Sequence, residues 1–155
     1  VLRDFDIPIK TRKENRFSMG FSINENAFLD PDEPECAYFY GWLLTDGNIT
    51  KRKYGHQVSI QLKDTDSEIL YSLSKYVDNG CDVKFRERFD KRTNKIYKSC
   101  SYSFSSYDLV QRLKSIGLEE SKSLKEVAPE DFLKNSHFWR GVFEGDGYYQ
   151  DRMKI

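Results

Sequence analysis

The sequence has no surplus of either charge: 25 Lys and Arg residues face 25 Asp and Glu residues, and the net charge is zero. A uniformly basic nucleic-acid binder is thereby excluded, because phosphate contacts draw on Lys and Arg. Cysteine is scarce. Cys36, Cys81 and Cys100 are odd in number and lack metal-site spacing, which argues against a disulfide framework and for a reducing compartment. Histidine is scarcer still, and His56 and His137 have no partners at ligand spacing, so both read as ordinary residues. Long apolar runs are missing too. No stretch approaches the roughly 20 residues that cross a bilayer, and nothing resembles a signal peptide. A cytoplasmic protein with no membrane partner is the expectation.

Aromatic residues are plentiful: ten Tyr, eleven Phe and two Trp in 155 residues. That length makes one domain or slightly more, with enough chain to bury a real core. The balanced charge is also unevenly spread. Basic residues gather at 10–16, 51–53 and 84–98, and acidic ones at 30–35 and 119–130. A neutral chain can therefore carry a local basic face. The first residue is Val1, and residues 1–33, with their charged run at 10–16, read as a linker or the tail of an upstream DNA-binding module.

Pro34 and Glu35 suit a helix start, and residues 36–44 are nearly all apolar or aromatic, so that helix should be buried on most sides. Asp46-Gly47-Asn48 should end it, with Gly47 in the left-handed conformation common at helix C-termini. Residues 49–53 and 56–63 read as two strands, the second alternating Val58, Ile60 and Leu62 with polar residues. Residues 66–77 form an amphipathic helix with Ile69, Leu70, Leu73 and Val77 on one face. A second hairpin spans 83–89 and 96–104, a helix covers 108–116 up to Gly117, and Pro129 opens a last helix. The order of helix, hairpin, helix, hairpin, helix, helix predicts an α+β fold: helices on one face of an antiparallel sheet, the other face polar.

One sequence repeats. Phe39-Tyr-Gly-Trp-Leu-Leu-Thr-Asp46-Gly47 returns as Trp139-Arg-Gly-Val-Phe-Glu-Gly-Asp146-Gly147. A Gly inside a helix costs about 1 kcal/mol relative to Ala, and close helix–helix approach at Gly41 and Gly141 would offset it. Asp46 and Asp146 close their helices, where the macrodipole disfavours negative charge. If the two helices pack side by side in parallel, both carboxylates converge at one end, and a hard divalent cation such as Mg²⁺ suits that constellation. A single Asp-Gly is more often a plain helix stop; the matched pair is what carries the argument.

These residues resemble the two-motif LAGLIDADG family of metal-dependent, site-specific DNA endonucleases, from about residue 34 to residue 149. The resemblance implies two motif helices at the core, each followed by an antiparallel sheet that forms a DNA-binding saddle. It implies a first repeat over 34–128 and the start of a second over 129–155. It assigns Asp46 and Asp146 as catalytic ligands of Mg²⁺ or Mn²⁺ and Lys122, in Gly117-Leu-Glu-Glu-Ser-Lys122-Ser, as a catalytic cation near the scissile phosphate. For Lys122 an ordinary solvated side chain is the alternative, and for Asp64, at the end of the second strand, a helix cap. Glu144 and Leu44 stand where the motif has its first Asp. Eight residues follow Gly147, so the second sheet is expected from a missing C-terminal half or a second chain.

Alternation then fixes the partner face. With Val58, Ile60, Leu62, Val83 and Phe85 turned to the helices, Gln57, Ser59, Gln61, Lys63, Lys84, Arg86 and Arg88 face the groove of double-stranded DNA, with Arg52 from the 51–53 basic run. Gln, Arg and Lys suit base edges and phosphates. Tyr97, Ser99 and Ser101 belong to the same face. The same scaffold would also serve a non-cleaving regulator or an RNA-splicing maturase; keeping both aspartates favours the enzyme.

Overall fold

The first helix, α1 (Pro34–Asp46), starts on a proline with Glu35 in its first turn. Proline lacks only an N–H that would be unpaired there anyway, and the carboxylate suits the positive helix end. Cys36, Ala37, Phe39, Tyr40, Gly41, Trp42 and Leu43 are all buried, so the helix has no wet face along its middle. In the computed structural model, residues 22–53, 55–78, 82–120 and 128–146 are described.

The helix does not end as the sequence predicts. Gly47 has φ −70° and ψ 156°, ordinary extended backbone, and is the first residue of strand β1 (Gly47–Arg52). Its glycine is required by clearance. A Cβ at 47 would stand 2.4 Å from the Leu43 carbonyl oxygen, because the chain turns from helix to strand without a connecting loop.

Strands β1, β2 (Gly55–Lys63), β3 (Lys84–Asp90) and β4 (Lys95–Phe104) form one antiparallel sheet in the order β1-β2-β4-β3. Ile49 pairs with Val58, Val58 with Phe104, Ile60 with Tyr102 and Leu62 with Cys100. Paired residues share a face, and these seven are buried. Helix α2 (Ser67–Asp78), reached through a 3₁₀ turn at Asp64–Asp66, contributes Leu70, Leu73 and Val77 to the same core. Ile69 is only partly buried, and Tyr76 takes up the space instead. Helix α3 (Tyr107–Ser115) adds Leu109, Val110 and Leu113; it is capped by Ser106 and followed by Gly117 at φ 103°.

Three further expectations are corrected. Phe85 lies on the helix side of the sheet, paired with buried Cys100, yet it remains 57% exposed. The parity was right but the cover is lacking: β3 is an edge strand, and the helices pack beneath β2 and β4. The final helix is two, α4 (Glu130–Leu133) and α5 (Ser136–Asp146). Asn135 divides them, its side-chain oxygen accepting from His137 N–H at 2.9 Å in the manner of an N-cap. Residues 22–33, grouped by composition with an upstream tail, are docked on the domain: Asn24 N–H donates to Val77 O at 2.7 Å, and Ala27 and Phe28 are buried. The Phe28 ring meets Tyr76 edge-on at 5.3 Å. Cys36 and Cys100 are free and buried, and burial pushes the Cys36 thiol up to about 11. No described helix is long and apolar enough to cross a membrane.

Replacing Gly47 separates clearance from handedness. Asn accepts a left-handed backbone and Ala does not, so a left-handed cap would tolerate Gly47→Asn. With the extended backbone both Gly47→Ala and Gly47→Asn should destabilise by about 1–3 kcal/mol, the usual cost of overpacking. Urea unfolding reads the difference.

Candidate active site and nucleic-acid interface

The two repeated segments meet backbone to backbone. A Cβ on Gly41 would lie 2.5 Å from Phe138 O and 3.1 Å from the Cα of Gly141; one on Gly141 would lie 2.2 Å from Tyr38 O and 3.2 Å from Trp42 N. The contacts are reciprocal: Gly41 faces residues 138 and 142, and Gly141 faces 38 and 42. One turn further on, a Cβ on Gly145 would lie 2.2 Å from the Thr45 hydroxyl oxygen. Residue numbers rise together along both helices, so α1 and α5 are parallel and related by an approximate two-fold axis between them. Asp46 and Asp146, the last residue of each, therefore lie at the same end of the pair.

Gly145 also leaves room beside a carboxylate, since its Cβ would stand 3.1 Å from Asp46 Oδ2. Asp46 lines an open cleft of about 550 Å³ together with Gln61, Lys63, Asp66, Lys98 and Glu144. Thr45, next to it, turns its hydroxyl back to the Trp42 carbonyl at 3.1 Å and lies 3.4 Å from Asp46 Oδ2. The cleft thus joins the C-terminal end of the helix pair to the end of the sheet.

A second cluster crosses the helix pair. The Tyr38 hydroxyl donates to Glu144 Oε2 at 2.5 Å and Arg140 Nε donates to Oε1 at 2.7 Å, while the Arg140 guanidinium stands 5.0 Å from the Tyr38 ring centre. Burial works against the Glu144 carboxylate, but the Tyr38 and Arg140 hydrogen bonds outweigh it and hold its pKa below the ordinary value. In the repeat Glu144 only stands in for the motif's first Asp; in the structure it adds a side-chain tie between the helices through Tyr38. The signal available was the i, i+4 pairing of Arg140 with Glu144. Gly145, opposite Thr45 in the repeat, carried none that its own copy could reveal.

The polar side of the sheet follows the register. Thr50 pairs with Gln57, Asn48 with Ser59, Gln61 with Ser101 and Lys63 with Ser99. Across β4, Lys84 pairs with Ser101, Arg86 with Ser99 and Arg88 with Tyr97. Arg52, two residues beyond Thr50, lies on this face too. The structure thus brings Arg52, Gln57, Ser59, Gln61, Lys63, Lys84, Arg86 and Arg88 together on one face, which has five cations and no carboxylate among those eight. Glu87 points to the other side, paired with Lys98 at 2.9 Å. Asp64 lies apart from Asp46, in a smaller cleft of about 210 Å³ with Arg86 and Lys98.

Lys122 lies outside the described residues, as do Cys81 and residues 147–155. His56 is less isolated than its sequence context indicates: Nε2 lies 2.8 Å from Glu120 Oε1, and Lys114 pairs with the same carboxylate, holding its pKa low. This links the hairpin to the turn after α3, away from the helix ends.

No protein-family model matches the chain. Over 148 residues, 90% of its length, it is 24% identical to a DNA polymerase of Acanthamoeba polyphaga mimivirus, of which it spans 8%. Among solved structures, the homing endonuclease I-WcaI bound to its DNA recognition sequence matches 99% of this chain with a TM-score of 0.60 at 12% identity, and the chain spans 66% of that protein. This chain has the fold of a homing endonuclease. The homing-endonuclease fold accounts for the four-stranded antiparallel sheet backed by helices.

The Glu144 cluster yields a pH test. Because its folded pKa lies below its unfolded one, its contribution is fully present above the unfolded pKa of about 4.3. It is lost as pH falls through the depressed folded value. Glu144→Gln should lower the Tm at pH 7 by an amount worth at most about 1 kcal/mol, as for other partly exposed pairs. The gap to the wild type should close below about pH 4; a gap unchanged with pH would place the stabilisation elsewhere.

Proposed function

We propose that this chain is a LAGLIDADG-type, site-specific endonuclease for double-stranded DNA, or the part of one that carries both motifs and one DNA-reading sheet. The observation that carries this reading is the parallel, reciprocal packing of the two repeats, which sets Asp46 and Asp146 at one end of the helix pair beside a cationic sheet face. The homing-endonuclease fold supports it. The polymerase likeness adds no activity of its own, since the chain spans 8% of that protein.

The donor set fits a hard divalent ion. Among the described residues no group of three or more His, Cys, Asp or Glu is placed to hold a metal, so a closed protein cage is not what is offered. Mg²⁺ is commonly held by one or two carboxylates, with water and substrate phosphate oxygens filling the remaining positions. Asp46 and Asp146 supply that kind of incomplete set, and the clearance at Gly145 leaves one of them open to the cleft. Asp46 and Asp146 would hold such an ion, and the chemistry it would supply is activation of water and stabilisation of the leaving oxygen in phosphodiester hydrolysis. The chain's own contribution is to hold the two carboxylates, to bring phosphates to them through Lys63 and the sheet face, and, in this reading, to place Lys122 near the developing charge.

The proposed saddle also needs a second sheet. Trp139 and Phe143 repeat Phe39 and Leu43; the first copy is 4% and 0% exposed beneath its sheet, the second 40% and 65%. In this reading a second sheet, from outside the described residues or from a second chain, covers them.

The test uses duplex DNA recovered by the chain from a randomised library in metal-free buffer, then supplied with Mg²⁺ or Mn²⁺. Wild type should cut the recovered site, and Asp46→Asn and Asp146→Asn should each lose cleavage by at least about a hundredfold, as with loss of an electrostatic group at a reacting centre. Both variants should still bind in EDTA, as tightly or slightly more so. Selective binding with no cleavage in either metal would replace the endonuclease by a non-cleaving regulator.

A further inference from the structure

The polar sheet face holds one arrangement that strand alternation does not predict. Arg52 ends β1, and its Nε and Nη2 both donate to Gln57 Oε1, at 3.0 and 2.7 Å. A guanidinium has donors only, so the amide atom facing it must be the oxygen. The Gln57 nitrogen then turns away and donates to Ser103 Oγ at 3.0 Å. The usual ambiguity over which way a glutamine amide points is removed here by the chemistry of its two neighbours.

This divides the work between two residues that alternation treats alike. A glutamine reads adenine by offering an acceptor and a donor side by side. Gln57 has committed its oxygen to two donors and has one N–H left, so it lacks the acceptor. Arg52 has its Nε–Nη2 edge occupied, while its Nη1–Nη2 edge has no partner among the described residues. Two parallel N–H groups on that edge match the O6 and N7 acceptors that guanine alone presents side by side in the major groove.

We propose that Arg52 is a specificity-determining residue that reads one guanine of the recognition sequence, and that Gln57 and Ser103 are positioning residues that hold its guanidinium for that contact. The proposal rests on the polar sheet face being the DNA interface. Fixing the side chain before DNA arrives lowers the ordering cost of binding and restricts the guanidinium to one reading edge. Six residues of extended chain separate Arg52 from Asp46, a span of at most about 20 Å. At about 3.4 Å per base pair, and allowing for side-chain reach, the guanine lies within about eight base pairs of the bonds cut near Asp46.

The experiment is binding selection from a fully randomised double-stranded DNA library in EDTA, with wild type, Arg52→Ala, Arg52→Lys, Gln57→Ala and Gln61→Ala. Wild type should recover a site with a fixed guanine. Arg52→Ala should lose preference at that base pair alone, and on the wild-type site bind about 5- to 150-fold more weakly, the range of one bidentate base contact. Arg52→Lys keeps the charge but not the planar fork that Gln57 holds, so it should restore the salt dependence of affinity in full and the guanine preference only in part. Gln57→Ala should broaden that same base pair without changing the salt slope, and Gln61→Ala should leave it untouched.

If Arg52→Ala recovers the wild-type site at every position, the proposal falls while the DNA-binding reading stands. If Gln57→Ala abolishes an adenine instead, Gln57 is the reader and the proposal also falls. If wild type recovers no sequence at all, the DNA reading fails and this inference fails with it.

Discussion

The structure depends on two helices touching through their backbones. At Gly41 and Gly141 any side chain would have to occupy space already held by the partner helix's carbonyl, at 2.5 and 2.2 Å. A glycine in a helix is a local cost of about 1 kcal/mol, so the sequence bears it twice for one contact. What the contact sets is position. It makes the pair parallel, puts the two C-termini level, and thereby sets Asp46 and Asp146 at the same end of the pair, the end of each helix that tolerates negative charge least. The Tyr38–Glu144–Arg140 cluster then fixes rotation about the contact, because Glu144 receives one hydrogen bond from each helix.

Legibility varied with the kind of signal. The strands of the first hairpin, α2 and α3 were readable to within one or two residues, because alternation and helical periodicity are properties of each segment alone. The reason for Gly47 was not readable. A Gly after a helix usually marks a left-handed turn, and only the helix-to-strand junction reveals that the Leu43 carbonyl leaves no room for a Cβ. Phe85 failed differently. Its face followed from alternation, but its burial depends on where α2 and the other helices stop, and no local pattern states that. Asn135, a residue at home both in turns and at helix starts, hid a break inside what its neighbours present as one helix.

The candidate site was legible to the extent that it lies in the repeat. A position can be compared with its own copy, and Gly41, Asp46, Gly141 and Asp146 stood out by recurring. What does not recur was missed: Glu144 and Arg140 have no counterparts in Leu44 and Tyr40, and Gly145 stands opposite Thr45. The departures from symmetry are where the two helices differ in what surrounds them. Tyr40 is buried against Phe132 and Phe138, whereas Arg140 is exposed and holds Glu144.

Zero net charge and a cationic sheet face are compatible for a geometric reason. A strand sends alternate residues to opposite faces, so β3 turns Lys84, Arg86 and Arg88 to one side, with Asp90, its last residue, on that cationic side opposite Lys95, and Glu87 to the other. The acid is not wasted there, since Glu87 pairs with Lys98 at 2.9 Å on the far side of the same ribbon. The sheet gathers on one face a group of cations that the composition averages away. Such sorting also limits what net charge can say about any sheet protein. A uniformly basic domain would attract every phosphate it met, whereas a neutral body with one cationic face offers a polyanion a single side, and under the proposed function that side is the one whose Lys63 shares a cleft with Asp46.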